Sequence, residues 1–216
     1  MIHHRTEPMS AADRGYAFGS TYPDEIVNNI DFYRRLFFKL GGISEHEIVD
    51  LGAEALIATR SWAPDLADEI EAVAAGARLK AELLGALNAR TEILGRCRTA
   101  ARECSVAVVL GPQDTNPVAI QTWDWHDAVE QGWLVWTIEH PTGRTVHTLT
   151  EYGIVGKIGV CSRGLGLLLN ILRHADDGEE LGTPVHIIAR RVLDEADDVN
   201  TALDRKSTRL NSSHRL

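Results

Sequence analysis

Apolar residues recur at helical spacing through the first half of the chain and in short β-type runs through the second, and the change falls at Cys104. Ile26, Ile30, Tyr33, Phe37 and Leu40 share one helix face, which Gly41-Gly42 ends. Ile43, Ser44, Glu47 and Ile48 then occupy the N′, N-cap, N3 and N4 positions of a second helix and predict a capping box with a hydrophobic staple. Pro64 opens a third helix with Leu66, Ile70, Val73 and Ala77 on one face, and a shorter fourth is predicted from Lys80 to Leu87.

Beyond Cys104 the runs Ser105 to Leu110, Pro117 to Trp123, Trp133 to Glu139 and Arg144 to Leu149 read as strands, with turn signals at Pro112, Asn116-Pro117 and Pro141-Thr142-Gly143. Strands this close in sequence imply antiparallel hairpins. A glycine-rich stretch from Glu151 to Gly164 leads to the apolar run Leu165 to Leu172. Thr183-Pro184 reads as the N-cap and N1 of a helix with Val185, Ile188, Val192 and Leu193 inward, and Asp197 to Leu203 starts another. Helices outside and antiparallel strands inside predict a layered sandwich of mixed α and β structure.

The 216 residues, 44% hydrophobic and 25% charged, fit one globular domain with a sizeable core. A net charge of -9, with no basic stripe outside the last few residues, argues against a nucleic-acid partner. The start lacks the apolar core of a signal peptide, and no apolar run reaches the roughly 18 residues of a membrane span, so no membrane partner and a cytoplasmic location are expected. Cys97, Cys104 and Cys161, an odd number without a Cys-x-x-Cys pair, suit a reducing compartment rather than a disulfide framework or zinc knuckle. From Asp204 to Leu216 the helical period is lost, the chain turns basic, and the run resembles the translation of a sequencing adapter. Residues 204–216 are therefore expected to be an artefact, with the natural chain continuing past Leu203.

Candidate chemistry centres on Cys104. A cut before it would give a cysteine with a free α-amine, and such a residue carries its own base, because thiol and amine titrate near about 8.5 and 8 respectively. The alternatives are a conventional thiol enzyme, with Cys104 or Cys161 activated by His147 or His186, and a non-catalytic binding scaffold with a structural Cys104. His46-Glu47 lacks the second His of a zinc-protease helix, and Glu47 already serves as a cap. Gly153-x-x-Gly156-Lys157 lacks P-loop spacing and is followed by Ile158, so its glycines are read as positive-φ or close-packing positions. No metal and no cofactor is expected. Trp123 and Trp125 share a strand face, so Asp124 lies on the other, either solvated or aimed into a site.

Several segments resemble the acyl-coenzyme A:6-aminopenicillanic-acid acyltransferase (isopenicillin-N acyltransferase) family of autoproteolytic N-terminal-nucleophile hydrolases. They are Arg14 to Gly19, Leu87-Asn-Ala-Arg-Thr-Glu92, Cys104-Ser105, Trp123-Asp124, and Thr150 to Gly164 followed by Pro184-Val-His-Ile187. The resemblance runs from about Arg14 to Leu203. It implies an α+β, four-layer αββα sandwich, truncated here, with a helical N-terminal segment: residues 1–103 as the helical pro or α segment and 104–203 as the start of the catalytic β segment. It implies self-cleavage between Glu103 and Cys104, Cys104 as nucleophile and Asp124 as the acid near its amine. The implied enzyme is an acyltransferase or amide hydrolase acting on a small acylated amine or acyl thioester, with acyl-coenzyme A a substrate rather than a cofactor. Its partners are then a small-molecule acyl donor and acceptor, and its α and β fragments stay associated after the cut. Two positions depart from the pattern, with Glu103 where the penicillin enzymes have Gly and Cys161 where the family loop resembles Asn. The family's oxyanion Asn belongs to strands expected after Leu203. Cys104 is expected to begin an inner strand, with Asp124 on the neighbouring strand pointing to its nitrogen.

Overall fold

The computed structural model describes residues 2–97, 104–112, 116–171 and 181–204. Glu103 and positions 205–216 of the expected artefact lie outside the described residues. Among the described residues the chain has mixed α+β structure, with a set of helices before Cys104, a five-stranded sheet, a separate two-stranded ribbon and a late helix.

The four helices predicted before Cys104 form with the ends the sequence signals, and two more, at Ala11–Thr21 and Arg90–Arg96, were not predicted. Helix α1 (Ala11–Thr21) is capped by Ser10, whose hydroxyl accepts from Asp13 N. Pro23 starts α2 (Pro23–Gly41), and Gly42 closes it in the left-handed conformation. Helix α3 (Glu45–Trp62) carries the full Ser44–Glu47 capping box, and Pro64 starts α4 (Pro64–Ala77). Helices α5 (Ala81–Asn88) and α6 (Arg90–Arg96) complete the set. Two helix pairs approach backbone to backbone: a Cβ on Gly15 of α1 would fall inside the contact radius of the Glu69 carbonyl on α4, and one on Gly52 of α3 would do so at Glu82 on α5.

The sheet runs in the order β1 (Ile2–Thr6), β4 (Trp133–Glu139), β5 (Thr145–Glu151), β6 (Ile158–Cys161), β7 (Gly166–Leu167). The last four strands pair antiparallel, as their short connections require, while β1 pairs parallel with β4. Only Ile2 in β1 is apolar, so no sequence period announced it; the strand exists because β4 offers it an edge. Leu134, Trp136 and Ile138 alternate onto the helix-facing side of β4, where Trp136 stacks on Phe18 of α1 with ring centroids 4.3 Å apart. The ribbon consists of β2 (Val106–Val109) paired with β3 (Val118–Gln121). Helix α7 (Val185–Glu195) begins one residue later than its sequence signal, with Pro184 as N-cap. The N–H of Val185 donates to Glu92 Oε1 on α6 at 2.7 Å, so a distant carboxylate supplies the contact expected of Thr183. A further helical turn covers residues 199–204.

Glu69 of α4 joins the helical half to α7. Its carboxylate accepts from Arg14 of α1 (Nε 3.1 Å, Nη2 2.5 Å) and from Arg190 of α7 (Nη1 3.1 Å, Nη2 3.2 Å), and all three residues are buried. Burial alone would raise the Glu69 pKa, but the Arg190 and Arg14 charges outweigh it and hold it below the usual carboxylate value. Glu69→Gln leaves two guanidiniums facing an uncharged amide and is expected to cost about 3–5 kcal/mol by urea unfolding. A loss under about 1 kcal/mol, the scale of an exposed pair, would contradict this role.

Candidate active site around Cys104

Cys104 lies two residues before β2 and is half-buried, with its thiol free. The ribbon it introduces is exposed rather than inner, since Val109, Val118 and Ile120 are all at least 65% exposed. Hydrogen bonding nevertheless continues past the ribbon toward Cys104. Thr122 N donates to Ser105 O at 2.9 Å, and Ser105 N donates to Thr122 Oγ1 at 3.1 Å. The Thr122 hydroxyl then donates to Asp124 Oδ2 at 3.1 Å. Asp124 is exposed and lies three residues beyond β3, so its carboxylate reaches the backbone next to Cys104 through Thr122. No Asp124 bond to the Cys104 nitrogen occurs among the described residues. Thr122 was missed in the sequence, where a threonine within a β-type run carries no distinguishing signal.

Behind Asp124 lies a buried charge cluster. Glu151, at the end of β5, is fully buried. Its Oε2 accepts from Tyr33 OH at 2.5 Å, and its Oε1 meets Arg90 Nη2 at 2.9 Å and Lys157 Nζ at 3.5 Å. Burial, then the Glu151 charge working against that of Arg90, keeps the Tyr33 phenol well above its usual pKa, so it donates. Trp125 Nε1 donates to Tyr33 OH at 2.9 Å, and its ring lies 4.7 Å from the Arg90 guanidinium carbon. The Lys157 ammonium lies 3.6 Å from the Trp123 ring centroid. Trp123 and Trp125 thus face the cluster, and Asp124 between them is exposed, although residues 122–126 are irregular rather than the strand the sequence suggested.

The other singled-out positions separate. The strand register sets Val146, not His147, opposite Cys161, so His147 projects from the other side of the sheet, where its Nδ1 meets Thr137 Oγ1 at 2.8 Å. The Cys161 thiol accepts from Arg144 Nη1 at 3.5 Å. Among the described residues neither Cys104 nor Cys161 bonds a histidine. Gly153 has φ +90°, and a Cβ there would meet the Leu87 side chain at 2.7 Å, so both readings of the loop glycines hold at this position. Asn88 fastens the same loop, donating to Gly153 O at 2.9 Å and accepting from Val155 N at 3.0 Å. Among the described residues no group of three or more His, Cys, Asp or Glu side chains could hold a metal ion, and no helix is long and apolar enough to cross a membrane.

No family model matches the chain. It is 28% identical, over 191 residues, to the acyl-coenzyme A:6-aminopenicillanic-acid-acyltransferase 40 kDa form of Emericella nidulans. The matched region covers 88% of this chain and 53% of that protein, so the chain spans about half the length of its relative. The similarity supports the family resemblance carried by the segments around Arg14, Arg90, Cys104, Asp124 and Glu151.

His186, beside this cluster, gives it a pH signature. The residue is fully buried; its Nε2 meets Thr91 Oγ1 at 3.2 Å, and its Nδ1 has no hydrogen-bond partner among the described residues. Burial, then the charges of Arg90 and Lys157, holds its pKa well below the usual imidazole value. Below about pH 6.5 the unfolded chain takes up a proton at His186 that the fold refuses, so stability falls as pH drops. His4, lowered by burial and then by His3, acts in the same direction. His186→Gln should therefore flatten, without abolishing, the fall in Tm between about pH 7 and pH 5. An unchanged slope would contradict a neutral, buried His186.

Proposed function

We propose that the chain is part of a cysteine N-terminal-nucleophile acyltransferase or amide hydrolase, matured by self-cleavage between Glu103 and Cys104. In the precursor the Cys104 thiolate attacks the Glu103 carbonyl carbon, the peptide C–N bond breaks, and the nitrogen takes a proton to leave a thioester. Water hydrolyses that thioester, releasing the Glu103 carboxylate and a Cys104 that carries thiol and free amine. In each turnover the amine accepts the thiol proton and the sulfur attacks the carbonyl of a small amide or acyl thioester. The amine or thiol leaving group departs with that proton, and the acyl-enzyme passes its acyl group to water or to an amine. Asp124 favours the ammonium form of the Cys104 amine.

The observation that carries this reading is the hydrogen-bonded path from Asp124 through Thr122 to the backbone beside Cys104, in a chain similar to an acyltransferase. The relative's name supports an acyl thioester such as acyl-coenzyme A as donor, bound as substrate, and a small amine as acceptor. Association of the two fragments after the cut is supported by Glu151 and Lys157, which follow Cys104 and share one buried cluster with Arg90 and Tyr33, which precede it. A four-layer αββα arrangement is supported by the ribbon, whose exposed apolar residues suit the face of a further layer. The free thiols of Cys104 and Cys161 support a reducing, cytoplasmic setting.

Intact mass spectrometry of the complete gene product tests the maturation. The expected result is two fragments, one ending at Glu103 and one starting at Cys104, that co-elute under native conditions. Cys104→Ala should remain whole, and Cys104→Ser should cut more slowly, because a hydroxyl is the weaker nucleophile. In matured enzyme Asp124→Asn should slow acyl transfer about 10²-fold. A single uncut species with full acyl-transfer activity would overturn the free-amine mechanism.

A further inference from the structure

The segment that carries Asp124 has no ladder of its own. β3 ends at Gln121, a 3-10 turn begins at Asp127, and residues 122–126 between them are irregular. A backbone of this kind takes its course from its side chains. Thr122 fixes the start through its paired bonds with Ser105. The rest is held by two indoles at alternate positions, each seated on a cation that meets the same buried Glu151 oxygen. The Trp123 Nε1 has no hydrogen-bond partner among the described residues, so its ring is seated by the Lys157 ammonium and by the edge of Trp133, 6.5 Å away between centroids. Trp125 is seated by the Arg90 guanidinium and by the hydrogen bond to Tyr33, itself donated onward to Glu151. Cation–π contacts strengthen when desolvated, as both cations are here.

We infer that Lys157 and Arg90, by closing on Glu151, are positioning residues that turn Asp124 toward the backbone beside Cys104 through the indole rings on either side of it. The inference rests on the roles given above to Cys104 and Asp124. With both indoles drawn inward, the intervening carboxylate is left exposed and within reach of the Thr122 hydroxyl, the link that leads to Ser105 and Cys104. Neither Lys157 nor Arg90 needs to touch a substrate to act in this way.

The test measures the pH dependence of Cys104 alkylation by iodoacetamide in the matured, complete protein, quantified on the Cys104 peptide. Cys97 and Cys161 are buried and serve as internal controls. A carboxylate near Cys104 disfavours loss of a proton from either the thiol or the ammonium, so Asp124→Asn should lower the midpoint of alkylation. Lys157→Met, which leaves Glu151 paired with Arg90, and Trp125→Phe should each lower it about half as far or more. Neither should lower it further in an Asp124→Asn background, and Lys157→Arg should restore the wild-type profile. The direction discriminates, because removing a positive charge acting only through space would raise the midpoint. If Asp124→Asn lowers the midpoint while Lys157→Met and Trp125→Phe leave it unchanged or raise it, the positioning role fails and the Asp124 role stands. If Asp124→Asn itself has no effect, both fail together.

Discussion

Glu151 is a carboxylate without access to solvent, and the fold around Cys104 is organised by what it must find there. A buried charge is tolerated only when opposite charges and hydrogen-bond donors reach it inside the protein. Arg90 comes from α6, Tyr33 from α2 and Lys157 from the turn after β5, so the requirement draws together elements on both sides of Cys104. The indoles of Trp123 and Trp125 lie on the two cations and leave Asp124 exposed. Glu69 imposes the same requirement elsewhere, clamping α1, α4 and α7 through Arg14 and Arg190. The Glu151 centre, together with the apolar core, specifies how helices meet the sheet, and the Glu69 centre specifies how helices meet one another.

Much of the scaffold was legible along the chain. Apolar spacing and caps located α2 to α5, and β4 begins and ends at the predicted residues. The strand β1 was not legible, because His3, His4 and Arg5 have no strand-like apolar alternation and pair only because β4 offers an edge. The cap of α7 was placed on Thr183 because local chemistry favours a hydroxyl there, whereas the long-range partner Glu92 makes the contact. The ribbon at Cys104 was expected within an inner layer, but its apolar side chains face outward.

The site was legible in part. The alternation Trp123-Asp124-Trp125 separated the carboxylate from the two indoles but left open whether it is solvated or aimed into a site, and the structure leaves it exposed beside two indoles seated on cations. Arg90, Glu151 and Lys157 stood in segments singled out for resemblance, yet nothing in their spacing says that they converge, since that is a property of the fold. Thr122, which carries the link to the backbone beside Cys104, was invisible for the same reason. Buried ionic residues are thus the positions where reading outward from local pattern stops, and where tertiary contacts take over.

The free amine of Cys104 is the feature on which the mechanism turns, and it has a direct chemical assay. 2-Cyanobenzothiazole condenses with a 1,2-aminothiol, a group that only an N-terminal cysteine presents. Incubated with the complete protein and followed by peptide mass spectrometry, it should label one peptide, beginning at Cys104, and leave Cys97 and Cys161 unmodified. Absence of that label from a preparation that still transfers acyl groups would contradict the mechanism.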